Sequence, residues 1–234
     1  MKNAIKAIVC AIAAASSAVA EESKLSTTVT AAYNSKYILY GYNNGRDLYS
    51  ADAYLGYALS DSASLWGGSW YGQTGNGSYE EIDFYGGLDY YVNEHCSIGF
   101  AYSMFNYIDT PFATNDIESE FAAHASYAGE LFSLSIREQY DTGAEGSIVR
   151  IIGGATQPLT ETISLAVNAE AGYAFEYYIP GNLWNHAQAE LSVPVQLTPA
   201  LNITPSVTYS VPLAATEDFN DEETIGALSA SYSF

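Results

Sequence analysis

Long segments in which apolar and polar residues alternate constrain the fold of this chain more than any other feature. The clearest segment spans residues 201–211, where Leu, Ile, Val and Tyr fill most odd positions and Asn, Thr and Ser fill the even positions. Residues 187–195 and 163–173 repeat the pattern. Because successive side chains of a strand point to opposite faces, a period of two predicts strands with one apolar and one polar face.

Segments of this kind recur along the whole chain. They lie near residues 25–40, 47–60, 62–73, 79–92, 95–107, 117–129, 130–140, 144–157, 163–173, 186–196, 201–211 and 222–234. Many exceed the ~5 to 6 residues that are usual for strands of globular sheets, and they are long enough for a tilted membrane crossing. A secreted β-sandwich also needs many alternating strands, but its strands are short and its outer faces polar. The pattern therefore predicts an all-β fold, a transmembrane antiparallel up-and-down β-barrel of about twelve strands of the bacterial outer-membrane type.

Short and long connections alternate along the chain, which supports the same architecture. The short ones are Asp61-Ser62, Asn93-Glu94, Gly129-Glu130, Pro158-Leu159 and Thr198-Pro199. The others are mostly longer and rich in turn residues, and they lie at 43–45, 75–77, 109–116, 141–146, 179–182 and 214–223. Outer-membrane barrels have short periplasmic turns and longer external loops, so an even strand count places both termini on the periplasmic side.

The first twenty residues have the features of a signal peptide. Lys2 and Lys6 precede an apolar stretch over residues 7–15, and Ala18-Val19-Ala20 forms a small-residue cleavage site. We therefore expect residues 1–20 to be cleaved and residues 21–234 to form a single outer-membrane β-barrel domain. Cleavage would remove Cys10 and leave Cys96 as the one mature cysteine, which excludes an intrachain disulfide.

The composition of the chain limits the kinds of binding partner that we expect. The chain has a formal net charge of −20, so a nucleic-acid partner is not expected, because phosphate binding needs basic patches. Twenty-one tyrosines combined with only 15% charged residues suit a barrel in which tyrosines form interface girdles. The three histidines are isolated in sequence, and we expect neither a metal site nor a cofactor. The expected partners are outer-membrane lipids and small polar solutes, and the expected state is a monomer.

The C-terminus ends on an alternating apolar strand. Leu228, Ala230, Tyr232 and Phe234 share one face, and Phe234 is the last residue. This ending resembles the assembly signature of outer-membrane barrel proteins. The resemblance implies that Tyr232 and Phe234 are recognised by the barrel-assembly machinery and that the protein resides in the cell outer membrane.

Several stretches of the first third of the mature chain carry a family resemblance. They are Tyr33–Gly41, Asp47–Tyr57, Trp66–Gly72 and Tyr79–Gly87. Together they resemble an uncharacterised bacterial outer-membrane porin family, in which an aromatic, apolar and basic segment ending in glycine opens the barrel. The resemblance implies a barrel and a pore without naming a solute. Tyr40 stands where the family would have an arginine before the glycine, so no role of that arginine is carried over.

If the apolar face of each strand meets lipid, the charged residues of the strands face the lumen. The predicted inward set is Lys36, Asp52, Glu81, Asp83, Asp89, Glu120, His124, Arg137, Arg150, Glu170, His186 and Glu190. Segments 62–73 and 144–157 are the most ambiguous, because glycines and mixed residues blur both faces. Arg137 and Arg150 lie on consecutive segments flanked by those bearing Glu120 and Glu170, which would allow a ladder of alternating charge.

These residues lead to a functional hypothesis with two alternatives. The chain would be a channel for passive diffusion of small hydrophilic solutes, with an acidic lumen that favours cations. The candidate pore-lining residues are Arg137, Arg150, Glu81, Asp83, Glu120 and Glu170. Alternatively, the charges pair with one another and plug a narrow barrel that serves structure or adhesion through its external loops.

An enzyme is the third alternative. His124 and Ser126 share a strand face, which resembles a barrel phospholipase that uses a His and a Ser two residues apart. That pair acts at the lipid-facing surface, whereas His124 and Ser126 are predicted to point inward. No further residue is clearly placed to orient the imidazole. Catalysis is therefore not expected, and no catalytic residue is assigned.

Overall fold

The computed structural model describes residues 24–75, 77, 79–108 and 117–234, and within these ranges the chain forms thirteen strands and no helix. The strands are β1 (Leu25–Leu39), β2 (Tyr42–Ser60), β3 (Ala63–Thr74), β4 (Glu80–Tyr91), β5 (Cys96–Tyr107), β6 (Ile117–Ala128), β7 (Phe132–Asp141), β8 (Gly146–Pro158), β9 (Ser164–Phe175), β10 (Asn182–Ser192), β11 (Val195–Gln196), β12 (Leu201–Pro212) and β13 (Glu223–Ser233).

The strands close into a barrel. Neighbours in sequence pair antiparallel from β1 to β10, β13 pairs with both β1 and β12, and β10 pairs with β12. The two-residue β11 continues β10 after an interruption at Val193 and Pro194. Proline has no N–H to donate to a ladder, which accounts for the break. The described residues thus form a closed antiparallel barrel of twelve strands with one extra short strand, as the alternation predicts.

The two faces of the barrel have opposite chemistry. Large apolar side chains such as Phe100 and Ile136 lie on the outer face and are 53% and 50% exposed. Polar side chains on the inner face are buried, and Glu81 and Gln139 are 0% exposed. This arrangement is the inverse of a water-soluble sheet protein, and it matches a barrel whose outer face contacts lipid.

The connections divide as predicted except for the one between β1 and β2. We call the end that carries Leu25, Ser233 and the short turns the terminal end, and the opposite one the loop end.

The predicted signal peptide, residues 1–20, and the predicted loop 109–116 lie outside the described residues, as does Asn76 of the 75–77 loop. A helix long and apolar enough to cross a membrane does not occur in the part of the chain that the structure describes.

The prediction of a loop at residues 43–45 is wrong. β2 begins at Tyr42, and the β1–β2 turn consists of Tyr40 and Gly41, with φ angles of 50° and 82°. Positive φ at both central residues is the geometry of a type I′ hairpin turn, so the hairpin continues through the Asn-rich stretch. The strand register shifts between Tyr37 and Ile38, which marks a β-bulge. Because a bulge bends its strand, the end of this hairpin departs from the barrel wall.

The ambiguous segment 62–73 turns its two tryptophans inward. The Trp70 ring lies over Gly72, where an added Cβ would be 2.1 Å from the Trp70 Cη2. The Trp66 ring lies over Gly87, where an added Cβ would be 2.5 Å from the Trp66 Cζ2. The glycines therefore let both rings lie close to the inner wall instead of projecting across the lumen.

Candidate functional site

A ladder of acidic and basic side chains runs along the inner wall of β6 to β10. Arg137 and Arg150 are directly paired in register on β7 and β8. Arg137 Nη2 donates to Glu120 Oε1 at 3.3 Å, and Arg150 Nη1 donates to Glu170 Oε2 at 3.1 Å. Each arginine thus pairs with a carboxylate on the strand away from the other arginine, which relieves the repulsion between the two cations. The structure brings these four predicted residues together as the sequence pattern indicates.

His186 and Gln139 extend the ladder. His186 Nε2 lies 2.8 Å from Glu170 Oε1, and Arg150 Nε donates to Gln139 Oε1 at 2.5 Å. Both side chains are almost fully buried. Arg150 is thus held by Gln139 and Glu170 together, whereas Arg137 bonds to Glu120 alone and its buried Nε has no partner among the described residues.

The other two predicted pore-lining residues lie on β4, apart from the arginines. Glu81 Oε2 accepts hydrogen bonds from the hydroxyls of Tyr37 at 3.1 Å and Tyr79 at 2.8 Å. Asp83 lies two residues along the same face, and neither Glu81 Oε1 nor Asp83 Oδ1 has a hydrogen-bond partner among the described residues. Trp70 on β3 pairs in register with Asp83. This part of the inner face therefore combines carboxyl groups with aromatic rings.

The β1–β2 turn crosses the lumen, a feature that the alternation pattern did not predict. Tyr40 hydroxyl accepts a hydrogen bond from Gln139 Nε2 at 2.8 Å and donates one to Glu120 Oε2 at 3.3 Å. The guanidinium carbon of Arg150 lies 4.8 Å from the centre of the Tyr40 ring, within cation–π range. In the twelve-strand ring β7 lies opposite β1, so Tyr40 contacts the far wall. Burial raises the pKa of Tyr40 to about 12.

Other loops pack against the hairpin tip, by which we mean residues 40–42. Gly41 lies against β10, where an added Cβ would be 2.9 Å from the His186 Cβ, and its φ of +82° also favours glycine. The Tyr177 and Tyr178 rings of the β9–β10 loop contact Tyr40 and Tyr42, with centroids 6.1 Å and 6.0 Å apart. The tip is therefore held by packing on several sides at the loop end.

Tyrosine hydroxyls bind carboxylates on the inner face near the loop end. Besides the bonds to Glu81 and Glu120, Tyr107 and Tyr178 donate to Glu118 Oε2 at 3.2 Å and 2.9 Å. Sequence reasoning assigned the tyrosines to interface girdles, and exposed tyrosines such as Tyr90 and Tyr209 do lie on the outer face. A second group of tyrosines thus stabilises interior carboxylates, which the residue count alone does not distinguish.

A cavity of about 360 Å³ lies beside β1, between it and the wall of β8, β9, β10 and β12. Its polar lining includes Asn34, Lys36, Glu170, Gln188, Glu190 and Thr208. Lys36 forms an ion pair with Glu223 of β13. The predicted inward residues Lys36 and Glu190 therefore share one space with Glu170 of the ladder.

Asp89 orients His124, contrary to the expectation that no residue does so. Asp89 Oδ1 lies 2.9 Å from His124 Nε2, and the two residues flank Gly99 on the intervening strand. Since an added Cβ at Gly99 would be 2.3 Å from Asp89 Oδ1, the glycine makes the contact possible. Ser126 donates instead to Ser135 at 3.0 Å. His124 and Ser126 thus have separate partners, and their contacts do not form the nucleophile–base pair that a hydrolase needs.

The remaining predicted residues lie on the inner wall and at the C-terminus. Asp52 accepts a hydrogen bond from the Tyr85 hydroxyl at 2.7 Å. Tyr232 and Phe234 are both 45% exposed, and their ring centroids are 4.8 Å apart. The terminal aromatic pair is therefore accessible on the outer surface, as recognition during assembly would require.

Solved outer-membrane proteins share this architecture. The KdgM porin superposes with a TM-score of 0.57 at 9% identity, over 88% of this chain and 99% of the porin. The NanC porin superposes with a TM-score of 0.56 at 12% identity, over 88% of this chain and 98% of that one. The fold is that of outer-membrane β-barrels.

The same fold also occurs in the translocator domain of an autotransporter. The translocator domain of the autotransporter NalP from Neisseria meningitidis superposes with a TM-score of 0.55 at 9% identity, over 100% of this chain and 96% of the domain. No family model and no curated protein matches the sequence. Because one fold serves several functions, the likeness establishes the architecture, and function must be argued from the interior residues.

Proposed function

We propose that this protein is an outer-membrane channel through which small hydrophilic solutes diffuse passively. The observation that carries the proposal is the closed barrel with an apolar outer face and a charged inner face. The interior of the barrel carries arginines and carboxylates, which suit hydrophilic solutes better than apolar ones. Charged rings and walls are how channels select among small solutes.

The inner face favours cations in this proposal. Arg137, Arg150 and Lys36 each form an ion pair with a glutamate. Other carboxyl groups, among them Asp52 and Glu190, have no ion pair among the described residues. The excess of carboxyl groups would raise the local concentration of cations and repel anions.

Location and assembly complete the proposal. The predicted signal peptide would export the chain, and the terminal Tyr232 and Phe234 would direct it through the barrel-assembly machinery into the outer membrane. The protein would work as a monomer, with no cofactor and no catalytic residue.

Conductance in a planar bilayer tests the proposal directly. We expect the folded protein to produce stable current steps, with a reversal potential shifted toward cation selectivity under a salt gradient. Asp52→Asn and Glu190→Gln should each reduce that shift, while Glu94→Gln in an exposed turn should leave it unchanged. Current steps that favour anions would contradict the acidic lumen.

One observation favours a second candidate function, a closed barrel that displays its loops. The Tyr40 side chain reaches the opposite wall and is held there by hydrogen bonds, a cation–π contact and ring packing. If this arrangement were permanent, solutes would not pass. A protein that is folded by heat-modifiable gel mobility yet silent in the bilayer would support this second function and contradict the first.

A further inference from the structure

The cavity beside β1 contains charges that are mostly neutralised by specific partners. Lys36 is ion-paired with Glu223, which neutralises the lysine. Glu170 is ion-paired with Arg150 at 3.1 Å, which neutralises the glutamate. These pairs leave neither Lys36 nor Glu170 in need of a charged ligand.

Glu190 differs from them. Its Oε1 accepts a hydrogen bond from Asn168 Nδ2 at 3.3 Å, and its Oε2 accepts one from Thr208 Oγ1 at 3.4 Å. Both donors are neutral and both distances are long for hydrogen bonds to a carboxylate, which are usually ~2.7 to 2.9 Å with a cation. Within the described ranges Glu190 has no ion pair, so it carries the uncompensated negative charge of the cavity.

Two side-chain amides face the same space. Asn34 of β1 and Gln188 of β10 line the cavity, and Gln188 lies two residues before Glu190 on the same face of its strand. Neither amide has a side-chain hydrogen bond to another described residue. A primary amide offers both a donor and an acceptor, so these groups suit the hydroxyl or amide groups of a polar ligand.

We propose that this cavity binds a small organic amine that also carries hydroxyl or amide groups. The ammonium group would lie against Glu190, and the hydroxyl or amide groups would bond to Asn34 and Gln188. A volume of about 360 Å³ is near the lower limit of small-molecule sites, so the ligand is a single small molecule and not a polymer. The inference rests on the proposed function and names the class of solute that the channel holds.

Three sugars of matched size and different charge test the site. Glucosamine carries a cation in mildly acidic buffer, glucose is neutral, and glucuronate is an anion. Equilibrium dialysis of each labelled sugar against the folded protein in detergent micelles measures binding without any need for conduction. We expect glucosamine to bind at least about tenfold more tightly than glucose, and glucuronate to bind least, because a charge-assisted hydrogen bond is stronger than a neutral one.

Variants show whether Glu190 is responsible. Glu190→Gln should remove the preference for glucosamine, so that glucosamine and glucose bind alike. Gln188→Leu should weaken the binding of glucosamine and the binding of glucose by similar factors. Glu161→Gln removes the same charge from an exposed turn at the terminal end. It should change neither the binding of glucosamine nor the binding of glucose. Heat-modifiable gel mobility confirms that each variant is folded before it is compared.

The outcomes separate this inference from the proposed channel. The amine site is overturned if the protein conducts but binds the three sugars equally. It is also overturned if the Glu190→Gln variant keeps the preference for glucosamine. Both outcomes leave the proposed channel intact. A protein that is silent in the bilayer but binds glucosamine through Glu190 overturns the channel and supports the site.

Discussion

Tyr40 reaches from the β1–β2 turn to the opposite wall of the barrel. Its ring and hydroxyl contact Gln139, Glu120 and Arg150 on the far wall. We expect Tyr40→Ala to raise single-channel conductance in a planar bilayer several-fold, because it removes the ring that crosses the lumen. Tyr40→Phe keeps the ring and should change conductance much less. Equal conductance in the wild type and Tyr40→Ala would mean that ions pass elsewhere.

The Arg137–Glu120 pair should contribute to stability because Glu120 is buried. The Glu120 side chain is only 2% exposed, and Glu120→Gln leaves Arg137 without its ion-pair partner. We expect the free energy of unfolding, measured by urea titration in detergent, to fall by about 2 to 3 kcal/mol. Glu94→Gln, at an exposed turn, should change it by less than about 0.5 kcal/mol. A loss no larger than that of the control would show that water reaches this pair freely.

Residue-level prediction succeeded where alternation assigned a face. Arg137, Arg150, Glu120 and Glu170 all lie on the inner wall and form the predicted ladder. It failed for Tyr40, because a turn residue has no strand face and its position depends on the bulge below it. The sequence pattern placed the turn at residues 43–45 and not at Tyr40 and Gly41, and the missing arginine does not indicate in which direction a hairpin bends.

At the level of the strands, paired glycines and aromatic rings shape the inner wall of β3 and β4. An added methyl group at Gly72 would be 2.1 Å from the Trp70 ring, so Gly72→Ala should displace this ring toward the lumen. We expect a changed tryptophan fluorescence spectrum and a lower conductance. Gly226→Ala is the matched control, since nothing lies within 4 Å of its added Cβ. An unchanged spectrum in Gly72→Ala would indicate that Trp70 does not lie over this glycine.

Strand boundaries followed from the sequence more closely than the ambiguous faces did. The predicted segment 117–129 corresponds to β6 at Ile117–Ala128, and 201–211 corresponds to β12 at Leu201–Pro212. The faces of 62–73 could not be assigned, because its inward tryptophans alternate with inward glycines whose role appears only when neighbouring strands are paired. The Trp66 ring of β3 fills the space over Gly87 of β4. The sequence of one strand alone does not show such a contact between two strands.

The whole barrel closes because its first and last strands pair with each other. β13 pairs with β1 from Asn34 to Thr28, and the final Phe234 donates its backbone N–H to the Thr27 carbonyl at 3.0 Å. Closure was predictable from an even number of strands, since a ring of antiparallel strands returns both termini to one end. The tilt of the β1–β2 hairpin into the barrel was not predictable from the sequence, because it depends on contacts with strands that are far away in sequence.

Deletion of Phe234 tests the proposed assembly signal at this scale. The side chain packs on the outer surface against Tyr232, and the deletion removes one backbone hydrogen bond, to Thr27, from the β1–β13 closure, so refolding in detergent should remain nearly as efficient as in the wild type. In cells, we expect the deletion to reduce the folded protein in the outer membrane several-fold, as measured by heat-modifiable gel mobility of membrane fractions. Phe219→Ala, which removes a 71% exposed phenylalanine from the β12–β13 loop, should leave assembly unchanged. If the deletion impaired refolding in detergent as much as assembly in cells, the terminal residue would act by stabilising the β1–β13 closure and not as a recognition signal.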